Sequence, residues 1–137
     1  MKNSMKEDRA RVFNKFGGCC AYCGCQLEKG WHCDHVEPCR RMYHDEQVEG
    51  EYRWIRKLVG FSNPDANHID NLFPSCPSCN INKHGDTIDG FRNSIETYLR
   101  SLNKRNVQYK MSKKYGLVIE TAKPVIFYFE TFIKQTP

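Results

Sequence analysis

The sequence predicts a small, single α+β domain built around a four-cysteine zinc site. Three observations carry that expectation: two Cys-x-x-Cys pairs, one long amphipathic helix pattern, and short strand-like runs that lead toward the cysteines. The chain has 137 residues, 39% hydrophobic and 12% aromatic, which suits one domain with a modest core. Cys20-Ala21-Tyr22-Cys23 and Cys76-Pro77-Ser78-Cys79 share a spacing that folds as a knuckle and puts two thiolates on one side of a metal. Two such knuckles complete a closed, tetrahedral, all-thiolate zinc site. Eight cysteines occur, at 19, 20, 23, 25, 33, 39, 76 and 79. An even count also suits a disulfide framework, but that belongs to exported chains, and Met1 to Ala10 is charged with no apolar signal segment. Cys19, Cys25, Cys33 and Cys39 read as small apolar fillers or free thiols. Cys19 and Cys25 are substitute ligands if the register differs.

Val12, Phe13 and Phe16 fall at helical spacing between Asp8 and Phe16, and Gly17-Gly18 ends that helix before the first knuckle. Trp31-His32-Cys33-Asp34-His35-Val36 reads as a strand closed by Glu37-Pro38. From Cys39 to His68 charges mix with Tyr43, Tyr52, Trp54 and Phe61. That stretch is expected to be an insertion, partly helical, ending in the turn-like Ser62-Asn63-Pro64-Asp65. Asn71-Leu72-Phe73-Pro74 is a second short strand running into the second knuckle, and Asn80 to Lys83 is a helical turn after it. Thr87 to Leu102 repeats Ile88, Phe91, Ile95, Tyr98, Leu99 and Leu102 at intervals of three and four, the stripe of a core-facing helix. Leu117-Val118-Ile119 and Val125 to Phe129, separated by a segment containing Pro124, read as a β-hairpin. The single domain, 1–137, thus has a core of about 13–91 with an insertion at 39–68, and a C-terminal helical and β-hairpin extension over 92–137.

The formal charge is +5, from 21 Lys and Arg against 16 Asp and Glu, so the surface attracts polyanions. Lys104, Arg105, Lys110, Lys113 and Lys114 accumulate between Asn103 and Tyr115 without one acid. A solvated helix face accounts for any one of them, and backbone-phosphate contact for the run as a whole. No window approaches the ~18 apolar residues of a membrane span. The expectation is a soluble, cytoplasmic chain with nucleic acid as its natural partner and no membrane.

Asp34-His35 follows the first knuckle, Asn71 precedes the second, and Asn80 comes directly after its last cysteine. The stretches Phe16 to Gly24, Asp34-His35-Val36-Glu37-Pro38 and Asn71 to Lys83, in this order, resemble the HNH endonuclease family. An Asp-His pair alone is a weak signal, but joined to both knuckles it becomes specific. The resemblance implies a ββα-metal core, in which two short strands and a helix wrap one catalytic metal, clamped by a structural zinc. It also implies a metal-dependent endonuclease that hydrolyses phosphodiester bonds in DNA, double-stranded by preference, leaving 5' phosphate and 3' hydroxyl ends.

Carried over residue by residue, His35 resembles the general base, a role that suits imidazole because its free pKa is about 6.5. Asp34 and Asn80 resemble the ligands of a hard cation such as Mg2+ or Mn2+. Asn71 resembles the residue that fixes the loop and orients the His35 ring. His84 lies four residues after Asn80 and would share its face on a continuing helix, where it could hold metal or phosphate. Lys83 is a candidate phosphate contact. Neighbours on a strand point to opposite faces, so Asp34 and His35 can serve one site only where the strand ends or twists. His32, His44 and His68 have no such company and read as surface residues. The alternative is a zinc-stabilised nucleic-acid-binding module that does not cut; Asp34, His35 and Asn80 favour the enzyme, since a binder needs no base beside two oxygen ligands.

Overall fold

The computed structural model describes residues 2–132, with side chains from Met5 onward. The ends of the expected 1–137 domain and of its 92–137 extension therefore lie outside the described residues. The first helix, α1 (Lys2–Asn14), begins six residues earlier than its apolar pattern suggests and stops at a turn over Lys15 to Gly18. Val12 is buried, and Phe13 packs on Trp31 with ring centroids 5.4 Å apart. Strands β1 (His32–His35) and β4 (Leu72–Ser75) pair antiparallel, with Asp34 opposite Phe73 and His35 opposite Leu72. Helix α2 (Pro77–Lys83) follows β4 at once, with Cys76 as its N-cap and Pro77 in the first turn, where a missing N–H costs nothing. Thr87 then caps α3 (Ile88–Arg105) by accepting from Gly90 N at 3.1 Å, and Asn106 caps α4 (Val107–Lys114).

The segment from 39 to 68, expected to be partly helical, is mostly strand and has only one short helical turn. It is a two-stranded antiparallel ribbon, β2 (Arg41–Gln47) and β3 (Trp54–Phe61), followed by a single helical turn at Pro64–Ala66. Nearly every residue of both strands is exposed on both faces, so the sequence shows no apolar-polar alternation to announce them. Cross-strand pairs knit the ribbon instead: Asp45 with Arg56 at 3.1 Å and Glu46 with Lys57 at 2.5 Å. Gly50, at φ 77°, supplies the left-handed residue of its turn.

The core is aromatic. Tyr22 meets Phe91 and Phe127 edge-on at 5.6 and 5.5 Å, and Phe91 stacks on Phe127 at 5.3 Å, geometries that favour ring pairs beyond the area they bury. This arrangement overturns the expected C-terminal β-hairpin: no strand occurs after Ser75 among the described residues. The run from Val125 to Phe129 crosses the first knuckle, with Phe129 N donating to Ala21 O at 2.8 Å and Tyr128 N to Tyr22 O at 2.9 Å. A short helix, α5 (Tyr128–Thr131), follows. Phe127 and Phe129 complete the core around Tyr22, whereas Leu117 and Ile119 stay exposed, so the two apolar runs never meet. Gly24 permits this crossing, because a Cβ there would stand 2.8 Å from Tyr128 Cδ2 and its φ is 77°. Arg92 pins the crossing segment by pairing with Glu130 and donating to Val125 O at 2.6 Å. The observed architecture is thus a small α+β domain with two separate two-stranded sheets. No helix among the described residues is long and apolar enough to cross a membrane.

Candidate functional site

The two knuckles meet because the main chain holds each in a tight turn and hydrogen-bonds one to the other's strand. Cys20 N donates to Cys25 O at 2.8 Å, Gly24 N to Cys20 O at 2.9 Å, and Ala21 N to Pro74 O at 2.8 Å, which seats the first knuckle on β4. The sulfurs of Cys20, Cys23, Cys76 and Cys79 consequently lie within 4.8 Å of one another. Cys23 and Cys76 sulfurs are 3.9 Å apart, close to the ~3.8 Å edge of a tetrahedron with zinc–sulfur bonds of about 2.3 Å. The donor set and its spacing fit a zinc ion. Cys79 hydrogen-bonds Cys20 and holds the Cys20 thiol down at about 4, while the same contact pushes Cys79 well above the ordinary thiol range. Cys19, Cys25, Cys33 and Cys39 are free thiols outside this set.

Beside the cluster, β1 and the C-terminal end of α2 form the walls of an open cleft of about 1100 Å³, lined among others by Asp34, His35, Arg40, Arg41, Asn80 and His84. Strand alternation separates the first two. Asp34 turns inward and is buried, where Tyr22 OH donates to its Oδ2 and Lys83 Nζ stands 3.1 Å from the same oxygen. Burial and the Asp34 charge together push the Tyr22 phenol far above its ordinary range. His35, the last residue of β1, faces the other way, and its Nε2 lies 2.9 Å from Asn67 Oδ1.

Three expected roles need correction. Lys83 is not a phosphate contact: it is 1% exposed, and its ammonium is held by Asp34 and by His35 O at 2.8 Å. Asn71 does not touch the His35 ring. Its side chain bridges Glu37 N at 2.9 Å, Glu37 O at 3.0 Å and Ala66 O at 2.8 Å, so it fixes the loop while Asn67 meets the imidazole. His84 does not continue α2. It is the C-cap, at φ 53° and ψ −132°, because the chain must turn before Thr87 starts α3. It still lines the cleft, as does Asn80, and neither side chain hydrogen-bonds another described residue. Among the described residues the four-cysteine cluster is the one group of three or more His, Cys, Asp or Glu whose ligand atoms converge.

The cleft also gains residues that sequence reasoning passed over. Arg40 anchors across its rim through Nε and Nη2 to Gly85 O at 2.9 and 2.5 Å, and Arg41 stands exposed beside it. Their signal was present in the Arg-Arg pair directly after Pro38-Cys39. Lys104, Arg105, Lys110, Lys113 and Lys114 do not line the cleft. The acid-free run also acquires an acid in three dimensions, since Glu120 folds back to Lys113 at 3.3 Å, Tyr109 at 2.8 Å and Asn103 at 2.5 Å. Those contacts hold the Glu120 carboxyl below the usual carboxylate range. His32, His44 and His68 are exposed. Comparison of the chain with protein-family profiles, curated proteins and solved structures finds no match.

Proposed function

We propose that this chain is a metal-dependent endonuclease of the HNH type, hydrolysing phosphodiester bonds in DNA. The observation that carries the reading is that Asp34, His35 and Asn80 all line one open cleft beside a four-thiol cluster. The chain order, with β1 paired to β4 and α2 following β4 at once, supports the reading because a ββα-metal core has that order. Zinc in the cluster has a structural role, since four thiolates leave it no position for water. Asp34 and Asn80 would hold a Mg2+ or Mn2+ ion through their side-chain oxygens, the hard donors such a cation prefers. When bound, that ion supplies charge neutralisation at the phosphate and stabilises the departing 3' oxygen. His35 accepts the proton of the attacking water, and Arg41 at the rim meets the backbone phosphate as an exposed guanidinium.

A second reading, a zinc-stabilised nucleic-acid-binding module, is favoured by one observation: Asp34 is buried in contacts with Lys83 and Tyr22, as a purely structural carboxylate would be. Supercoiled plasmid separates the two. Zinc-loaded wild type is expected to nick or linearise it with Mg2+ or Mn2+ and not with EDTA, and His35→Ala to leave it intact. Absence of cleavage under every metal moves the assignment to the binding module.

A further inference from the structure

We propose that Asn67 is the positioning residue of His35: its side-chain carbonyl accepts the Nε2 proton, fixes the ring tautomer, and leaves Nδ1 to receive the proton of the attacking water. This rests on the nuclease reading above. Neutral imidazole carries one proton on one of two nitrogens. An amide oxygen is an acceptor only, so Asn67 Oδ1 at 2.9 Å from Nε2 requires the proton to sit on Nε2. Nδ1 is then the bare nitrogen, the state that a general base needs.

The surroundings hold both partners in register. His35 O receives Lys83 Nζ at 2.8 Å and the next amide, Val36 N, donates to Asn71 O at 2.9 Å, so the main chain of His35 is clamped on both sides. Rotation of the ring is the remaining freedom, and the bond to Asn67 restrains it. Asn67 itself ends the turn Pro64–Ala66, with its N–H on Pro64 O at 3.1 Å. Asn71 reaches from that turn, at Ala66 O, to Glu37, two residues beyond His35. Asn71 thus ties together the segments that carry Asn67 and His35, and acts on the imidazole through Asn67. The division of labour is between two asparagines four residues apart, one structural and buried, one exposed and in contact with the ring.

The test is 15N NMR of histidine-labelled, zinc-loaded protein at about pH 8, where a free imidazole is mostly neutral, with the His35 signals assigned by their loss in His35→Gln. Wild type is expected to show the Nε2–H tautomer. Asn67→Ala should give a mixture of tautomers and a kcat about tenfold lower, the worth of one hydrogen bond, with KM within about twofold. Asn67→Asp should keep Nε2–H, because a carboxylate also only accepts. Zinc content and melting temperature should stay at the wild-type values in both variants, since the Asn67 side chain is exposed. An Nδ1–H ring in wild type, or an Asn67→Ala protein in which either the tautomer or kcat is unmoved, overturns the proposal. If wild type cleaves nothing, the nuclease reading falls, and the tautomer alone decides whether Asn67 sets the His35 ring.

Discussion

Lys83 Nζ stands 3.1 Å from Asp34 Oδ2, and the two side chains are 1% and 7% exposed. A lysine so placed has lost its hydration, and its charge is met by one carboxylate and one main-chain carbonyl. Removing either partner strands the other charge in a dry site, which costs about 3–5 kcal/mol. Lys83→Ala is therefore expected to lower the unfolding free energy of the zinc-loaded protein by about 3 kcal/mol in urea, and Asp34→Ala by a similar amount. A Lys83→Ala protein as stable as wild type would show that the pair does not form. The same coupling bears on function: loss of cleavage in Asp34→Ala would mix a lost ligand with a damaged fold. Asp34→Asn keeps the shape and can still accept from Tyr22, but it too leaves the Lys83 charge uncompensated, so its cleavage is to be read together with its stability in urea.

The pair shows where sequence reasoning reached its limit. Cysteine spacing announced the cluster, because Cys-x-x-Cys fits a knuckle locally and two of them suffice for one ion. The strands at His32–His35 and Leu72–Ser75 and the α3 stripe were legible for a similar local reason, in runs of β-forming residues or a 3.6-residue period. Lys83 was not, since lysine is almost always a surface residue and only the fold brings Asp34 beneath it. Asn67 touches His35 across 32 positions of sequence, and no spacing encodes that contact. The β2–β3 ribbon lacked the one-sided burial that makes strand alternation visible, and the run from Val125 to Phe129 looked like a strand because its rings are apolar, while their destination was the core beside Tyr22. A capping residue at Thr87 did hold a usable signal: a new helix starting at Ile88 leaves no room for α2 to continue through His84.

Zinc affinity should depend steeply on pH. The hydrogen bond between Cys79 and Cys20 lowers the Cys20 thiol, so Cys20 gives up its proton the more readily of the two. Cys79 is pushed up by that same contact and by burial, and must give up its proton when metal binds. Because protons compete with zinc for the sulfurs whose pKa lies above the working pH, affinity falls as pH falls, by about tenfold per pH unit for each proton displaced. Competition against a chromophoric chelator between about pH 6 and 8 measures the slope, and a buffer-dependent heat in calorimetry counts the protons. A flat profile would mean that the sulfurs do not bind zinc as thiolates. Chelation should also unfold the domain, since a core this small leans on its metal, whereas Cys25→Ser should retain one zinc per chain because that sulfur lies outside the converging four.

His84 occupies a backbone region that suits glycine, with φ 53° and ψ −132°, although Gly85 is the very next residue. A non-glycine residue there stores about 1–3 kcal/mol of strain, and a fold has no structural reason to keep it. The ring lines the cleft beside Asn80, which supplies a functional one under the nuclease reading: the strained backbone aims an imidazole where a helical continuation would not. His84→Gly relieves the strain and gives back about 0.5–1 kcal/mol through the extra freedom of glycine in the unfolded chain. The net expectation is a protein more stable than wild type by about 1 kcal/mol in urea, with plasmid cleavage reduced at least about tenfold, the equivalent of some 1.4 kcal/mol of transition-state stabilisation. Increased stability with undiminished cleavage would leave the strain real and the ring idle. Decreased stability would instead mean that the imidazole is held by contacts worth more than the strain. His84→Ala is the matching control: it keeps the backbone cost and removes the ring, so it should lose cleavage with no gain in stability.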